Sequence, residues 1–448
     1  MDAFVTRRKR KTSTEESDGR CSNSKDAEES TEVKLAILAS LHPTVDQDTL
    51  LDVLTAHDGD VDATSQTLRA KLPKKPNPGG TPAVQVSLRS FAVAPSSPRL
   101  DAPPPAKRTK LLSRKGATLH LYDPVDISEH TPCTIIHNFL PPDEADTLLR
   151  ELLDESKTFT KATFKLFDNV VSSPHTSALY VSSQPELQEQ KHEYVYNGSR
   201  MTDVRTLTPH LERVKERVQE AVNREIQERI RTRYGGKKLK YQDPGPWAPN
   251  AAFVNCYDGP QENVGWHSDQ LTYLGPRPVI GSLSLGVTRE FRVRRIVPSD
   301  DNDDDDDDED PNSDPGPDRG DLAGQIAIHL PHNSLLVMHA DMQEEWKHSV
   351  SPARAVDPHP VAGRRRINIT YRCYREAFHP RGTPRCPCGV PAVLRVANRS
   401  KRKKEGEGPR YFWMCHAGNV PGKEACRFFR WAEFDEDGNP VGWTGENE

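Results

Sequence analysis

Three short stretches in the second half of this 448-residue chain carry side chains of the types and spacing that hold a redox metal. Trp266-His267-Ser268-Asp269 offers an imidazole and a carboxylate two residues apart. Glu345-Trp346-Lys347-His348-Ser349-Val350 offers a second imidazole. Two histidines and one aspartate on one face of a metal leave three positions open, which suits non-haem Fe(II) and O₂ chemistry. A lone His-x-Asp arises by chance in most long chains. The ordered trio, followed by an arginine strand, is far more specific.

That strand is Arg366-Ile367-Asn368-Ile369-Thr370-Tyr371-Arg372. Alternation along a strand puts Ile367, Ile369 and Tyr371 on one face and Arg366, Asn368, Thr370 and Arg372 on the other. At about 3.3 Å per residue the two arginines start roughly 20 Å apart. Two long side chains reaching inward can close that gap around a small dicarboxylate, which the planar guanidinium fork grips bidentately. The ordinary alternative is a strand that shows its charges to water. An Asn and a Thr between two arginines, after a metal triad, argue against it.

Over residues 118–380 the chain resembles the AlkB family of Fe(II)/2-oxoglutarate oxidative dealkylases. Beyond the triad, the resemblance is carried by Ala252-Phe253-Val254-Asn255-Cys256-Tyr257, by Gly281-Ser282-Leu283-Ser284-Leu285-Gly286 with Thr288-Arg289-Glu290-Phe291, and by Phe139-Leu140-Pro141-Pro142-Asp143-Glu144-Ala145-Asp146. It implies iron on His267, Asp269 and His348. It implies 2-oxoglutarate among Asn255, Tyr257, Arg366, Asn368, Thr370 and Arg372, with O₂ as second co-substrate. The implied reaction hydroxylates an N-alkyl group on a base, and the unstable product sheds formaldehyde. Tyr196, in Tyr194-Val195-Tyr196-Asn197-Gly198, is similar to the aromatic that stacks on an extruded base, or else it is core packing. Members that act on cationic methylated bases commonly carry an acidic residue two places after the iron aspartate. Leu271 stands there, so a weaker preference for such lesions is expected, with Gln270 or Glu290 as substitutes.

The fold class implied is mixed. A double-stranded β-helix (jelly roll) with flanking helices lies between a small α-helical domain and a small zinc-bound domain, with disordered linkers. Only 34% of the chain is hydrophobic, 28% is charged and 38 residues are proline. Such a chain holds two to four domains and much disorder. No run of eighteen apolar residues and no secretory signal stand out, so no membrane partner is expected. The net charge of −5 conceals a local run: ten acidic residues between Asp300 and Asp310, without which the remainder carries +5. A mildly basic body fits a nucleic-acid partner.

Residues 1–30 form a polar tail opening on Arg7-Arg8-Lys9-Arg10-Lys11, and Lys107-Arg108-Thr109-Lys110 repeats the basic theme; together they point to the nucleus. Residues 31–72 read as three short amphipathic helices built on Leu35, Leu38, Leu41, Leu50, Leu51, Leu54, Val61 and Leu68. They resemble a CUE ubiquitin-binding domain, with His42 at the family's Phe and Leu68-Arg69 at its Leu-Leu pair. Residues 73–117 are a Pro/Ser/Lys-rich linker, in which Gln85–Phe91 resembles a sliding-clamp-binding box with Ala92 at its second aromatic. Residues 298–320 interrupt the catalytic region as an acidic insertion. Thr208 and Pro209 open a long helix with an apolar stripe from Leu211 to Ile230.

Four of the eight cysteines lie in residues 381–448. Cys386, Cys388, Cys415 and Cys426 can close a tetrahedral Zn(II) site, a better reading than disulfides in a chain with no secretory signal. His416 is a competing ligand, and the four cysteines are preferred. The segment resembles a GRF-type zinc finger, a binder of single-stranded nucleic acid. Its basic residues and Tyr411-Phe412-Trp413 supply the cations and stacking surfaces such binding uses. The combined reading is a DNA-repair dioxygenase. The rivals are an RNA demethylase of the same chemistry and a non-catalytic adaptor joining ubiquitin to nucleic acid.

Overall fold

A computed structural model describes residues 38, 50, 53–54, 57, 61–71, 118–166, 169–196, 200–201, 203–296, 324–397, 408–420, 422–424 and 426–442. The basic tail, the clamp-like box, the acidic insertion and Arg399 to Lys404 lie outside them. The chain divides into two units, Met1–Ser96 and Ser97–Glu448. In the first, helix α1 (Val61–Lys71) follows a cluster in which Leu38, Leu50, Leu54 and Leu68 are buried against Val53 and Val61. These four are among the leucines that the amphipathic pattern selects; Leu35, Leu41 and Leu51 lie outside the described residues.

Two sheets build the second unit. The smaller has the order β1 (Thr118–Leu121), β11 (Gln325–Leu330), β10 (Arg289–Arg295), β13 (Trp346–Val350) and β8 (Val264–His267). The larger has the order β2 (Cys133–His137), β12 (Ser334–Met338), β9 (Ile280–Gly286), β14 (Arg365–Arg372), β7 (Ala251–Asp258), β5 (Thr176–Val181) and β6 (Val204–Thr206). A hairpin of β3 (Thr163–Leu166) and β4 (Asn169–Ser172) stands apart from both. Phe291, Val293 and Ile328 of the smaller sheet share one apolar core with Ile135, Tyr257, Ile280 and Leu336 of the larger, so the two sheets face each other.

Two helices cover the outer face of the larger sheet. Helix α3 (Pro142–Glu155) buries Leu148, Leu149 and Leu152; helix α5 (Pro209–Thr232) buries Leu211, Val214, Val218 and Val222. Both stripes pack on Leu283, Leu285, Ile367, Ile369 and Tyr371. Thr208 occupies the cap position of α5 without capping it, because its hydroxyl donates to Glu151 on α3 instead. Shorter helices α2 (Pro124–His130) and α4 (Gln184–His192) complete the scaffold, the latter opened by a reciprocal Ser183–Glu186 capping box.

The C-terminal cysteines lie in the segments that flank a separate three-stranded sheet of β15 (Val393–Ala397), β16 (Arg410–Met414) and β17 (Phe429–Ala432). Alternation splits β16. Tyr411 and Trp413 are buried with Leu271 and Phe378 of the larger body, while Met414 of β16 and Phe429 and Trp431 of β17 are exposed.

Candidate active site

Strand register brings the two histidines together. β13 and β8 are antiparallel, with His348 directly across from His267 and the pairing shifting between His348 and Val350. Their rings lie 4.2 Å apart. The chain then leaves β8, and Asp269 reaches back until its Oδ1 is 3.7 Å from His267 Nε2 and 3.5 Å from His348 Nε2. For bonds of about 2.1 Å, donors on one face of an octahedral metal stand roughly 3 Å apart, so a small closure would complete the face.

Tautomers agree with that geometry. His267 Nδ1 lies 2.8 Å from the Gly265 carbonyl, so it donates there and Nε2 keeps its lone pair toward Asp269. Surrounding protein and then His348 hold the His267 pKa down to about 4, favouring the neutral ring that a metal needs. Burial alone would raise the Asp269 carboxyl. Arg372 and His348 outweigh it and hold Asp269 well below the usual carboxylate range.

A cavity of about 210 Å³ opens beside the triad. Arg366, Asn368, Thr370 and Arg372 line it from β14, and Asn255 and Tyr257 from β7. Arg366 is 1% exposed. Its Nη2 donates to Ser284 Oγ at 3.0 Å, its guanidinium carbon lies 5.2 Å from the Tyr257 ring centre, and its Nε and Nη1 have no partner. Asn368 and Thr370 are satisfied within the protein: Asn368 Nδ2 donates to Ser282 Oγ at 2.8 Å, and Thr370 donates to Asn368 Oδ1 at 3.1 Å.

Arg372 behaves differently from its expected twin role. Its Nε and Nη2 donate to Asp269 Oδ2 at 2.9 and 2.5 Å. The two arginines therefore do not close symmetrically on one dicarboxylate. Arg366 keeps two donors without a partner, whereas Arg372 anchors a carboxylate of the chain itself and keeps only Nη1 without one.

Gln270 and Leu271 follow Asp269, yet neither lines the cavity. Leu271 packs toward β16, and Gln270 keeps a buried Nε2 without a partner. Glu290 lies on the opposite face of β10 from Phe291, across from His329, where it pairs with Arg292 at 2.7 Å. Tyr196 donates to Gln190 Oε1 at 2.8 Å and its hydroxyl oxygen lies 3.0 Å from that of Tyr374, within an aromatic group that includes Tyr194, Tyr273 and Phe253. Tyr196 is not among the residues that line the cavity.

Other lining residues escape sequence reasoning. His175 stacks on Tyr257 at 4.7 Å and arrives only through the pairing of β5 with β7. Ser282 and Ser284 alternate along β9, a signal that could have marked them as facing the arginine strand. Phe291 and Met338 close the wall.

Residues 132–372, just over half of the chain, match the 2OG-Fe(II) oxygenase superfamily. The chain belongs to this superfamily. Within it, the mouse alpha-ketoglutarate-dependent dioxygenase alkB homolog 3 is 34% identical over 136 residues, 30% of this chain and 40% of that protein. The Arabidopsis thaliana DNA oxidative demethylase ALKBH2 is 32% identical over 123 residues, 28% of this chain and 37% of that protein. The mouse DNA oxidative demethylase ALKBH2 is 26% identical over 231 residues, 51% of this chain and 74% of that protein. The chain thus spans well under two thirds of the first of these relatives. The matched oxygenase region is AlkB-like, and it contains both cavity and triad.

A second cluster lies in the C-terminal sheet. Cys386 and Cys426 sulfurs are 2.7 Å apart, those of Cys388 and Cys415 are 3.7 Å apart, and all four lie within 4.8 Å of one another. His416 is not among them; it is 6% exposed, and burial pushes its pKa down to about 4. On the outer face, Arg410 covers Trp431 at 3.9 Å from its ring centre, and Phe412 stacks on Phe429 at 5.0 Å.

Proposed function

We propose that this chain is an Fe(II)/2-oxoglutarate-dependent dioxygenase that removes alkyl groups from bases in DNA. One observation carries the reading: His267, Asp269 and His348 border the same cavity as a buried arginine with two unpartnered N–H donors. The donor set suits iron, and the arginine suits a carboxylate, because a buried cation lacking a counter-charge is costly until an anion arrives. When bound, iron and 2-oxoglutarate would supply, with O₂ as oxidant and succinate and CO₂ as co-products, the chemistry that hydroxylates the N-alkyl carbon, and the hemiaminal from an N-methyl group releases formaldehyde.

The chain's own residues supply the rest. Arg366, steadied by Ser284, takes the co-substrate carboxylate through Nε and Nη1. Arg372 keeps Asp269 ionised and aimed at the two histidines. Gly265 fixes the tautomer of His267. Asn255, Tyr257, Asn368 and Thr370 shape the polar wall, while Phe291, Met338 and Val350 exclude water.

The same reading assigns the two-sheet body to a jelly roll over residues 118–380, flanked by a CUE-like domain at 31–72 and a GRF-type finger at 381–448. Tetrahedral Zn–S bonds of about 2.3 Å would space four sulfurs roughly 3.8 Å apart, which supports one zinc on the four cysteines. The exposed Phe429, Trp431 and Arg410 suit stacking against a single strand. Chemistry on a base needs it unstacked, so a single-strand holder complements the oxygenase. Nuclear placement, ubiquitin binding through 31–72 and clamp binding through Gln85–Phe91 rest on sequence resemblance alone. DNA is preferred to RNA because two of the relatives above are DNA oxidative demethylases.

The test is turnover of N-methylated DNA and RNA oligonucleotides, followed by formaldehyde release. Activity should require Fe(II) and 2-oxoglutarate and vanish in Asp269→Ala. Full turnover by that variant, or by iron-stripped protein, would refute the assignment.

A further inference from the structure

The cysteine-bearing sheet is built into the wall behind the triad. Leu271, two residues after Asp269, and Phe378 share an apolar cluster with Ala392, Leu394, Tyr411 and Trp413. Leu394 N donates to Thr272 Oγ1 at 3.2 Å, and Arg375 reaches the Gly438 carbonyl at 3.1 Å and Asn439 Oδ1 at 2.8 Å.

Between sheet and triad lies one helical turn, α6 (Met342–Glu345). Gln343, 1% exposed, accepts the Asp269 backbone N–H on its Oε1 at 2.7 Å. The next residue, Glu344, is 3% exposed; its Oε1 accepts the Tyr411 hydroxyl at 3.0 Å and the Arg277 N–H at 2.6 Å. Its Oε2 has no partner. Directly after α6 comes β13, where the Trp346 carbonyl accepts the Ser268 hydroxyl at 2.9 Å and His348 follows two residues on. Adjacent side chains of one turn therefore bind a triad backbone on one side and the cysteine-bearing sheet on the other.

We propose that the cysteine module is a positioning element of the metal centre, acting through Tyr411 and Glu344 on Gln343, and so on Asp269 and His348. The inference rests on the reading of His267, Asp269 and His348 as iron ligands. Asp269 sits outside any strand, so its geometry depends on what packs behind it. An unfolded module would expose Leu271 and Phe378 to water and leave the buried Glu344 carboxylate with a single donor, Arg277 N. Loss of the cysteine-bound zinc, or oxidation of the cysteines that hold it, should then loosen iron whether or not nucleic acid is present. Tyr411 and Glu344 are positioning residues in this scheme, and Trp431 on the outer face is not part of it.

Full-length protein carrying Tyr411→Phe keeps the apolar ring and removes only the donor; Glu344→Gln keeps the size and removes the charge. For each, the readouts are zinc content, single-strand affinity, Fe(II) affinity in the presence of 2-oxoglutarate from the visible absorption of the iron–oxoacid chelate, and turnover of a methylated trinucleotide. Loss of outer-shell support typically weakens metal binding about 10- to 100-fold. Tyr411→Phe should weaken Fe(II) binding by about tenfold with zinc content, single-strand affinity and KM for the trinucleotide unchanged. Trp431→Ala should do the reverse, lowering single-strand affinity and leaving Fe(II) affinity alone. Parental Fe(II) affinity in both Tyr411→Phe and Glu344→Gln overturns the proposal. A parent protein with no chelate absorption and no turnover overturns the iron reading beneath it.

Discussion

Arg366→Met should stabilise the co-substrate-free protein while nearly abolishing its affinity for 2-oxoglutarate. Burial, partly offset by Tyr257, pushes the Arg366 guanidinium down to about 10. That depression corresponds to about 3 kcal/mol of folding free energy, because the charged form is more comfortable in the unfolded chain at every pH below the folded value. Methionine removes this cost and forfeits the Nη2 bond to Ser284, worth about 1 kcal/mol. The net gain of about 2 kcal/mol should raise the melting temperature by roughly 3–4 °C for a body of this size. Binding moves the other way. Two charge-assisted bonds from Nε and Nη1, at about 1.5–3 kcal/mol each, amount to a loss of about 10²- to 10⁴-fold in affinity. Scanning calorimetry with and without 2-oxoglutarate reads both signs at once: the parent should gain from the co-substrate and the variant should not. A variant that melts lower than the parent when free, yet still gains stability from 2-oxoglutarate, refutes the reasoning.

Leu271→Asp should act on architecture. The side chain is 4% exposed among Phe378, Leu394, Tyr411 and Trp413, and an unpaired carboxylate there should cost about 3 kcal/mol or more. Limited proteolysis should release the cysteine module; a stably folded variant with altered lesion preference would return Leu271 to the base site. His339 gives a pH signature. It is 1% exposed, its Nε2 lies 3.0 Å from Thr134 Oγ1, and burial with Arg229 nearby holds its pKa well below 6.5. The folded protein refuses a proton that the unfolded chain accepts, so stability is full above about pH 6.5 and falls as pH drops through the window beneath it, by up to about 1.4 kcal/mol per pH unit. His339→Gln should flatten the acid limb of urea-unfolding stability by one proton, and an unchanged slope would show that His339 protonates in the folded state.

Much of the arginine strand was legible because a central strand is buried on both faces. The two-residue period sends Ile367, Ile369 and Tyr371 to the helix-covered core, and Arg366, Asn368, Thr370 and Arg372 to the cavity. Register then supplies what local spacing lacks. Nothing near His348 in sequence says that it will stand across from His267, or that Arg372 will be spent on Asp269. Glu290 was a missed signal rather than a hidden one. Phe291 and Val293 read as inward-facing, so their polar neighbour on the same strand had to point away.

The same period decides the cysteine module, where Tyr411-Phe412-Trp413 reads as one aromatic run and behaves as two faces. Tyr411 and Trp413, at 1% and 0% exposure, are buried against the larger body, while Trp431, at 45%, stays exposed. A module that only tethered the enzyme to nucleic acid would have no reason to bury Tyr411 and Trp413 against the segment carrying Asp269. Burying them there ties the folding of the small sheet, and of any metal that staples it, to the shape of the triad. The His267, Asp269 and His348 triad and the four-cysteine cluster are therefore linked through packing and one carboxylate rather than through sequence proximity, and only the three-dimensional packing of β16 against the loop after β8 makes that link visible.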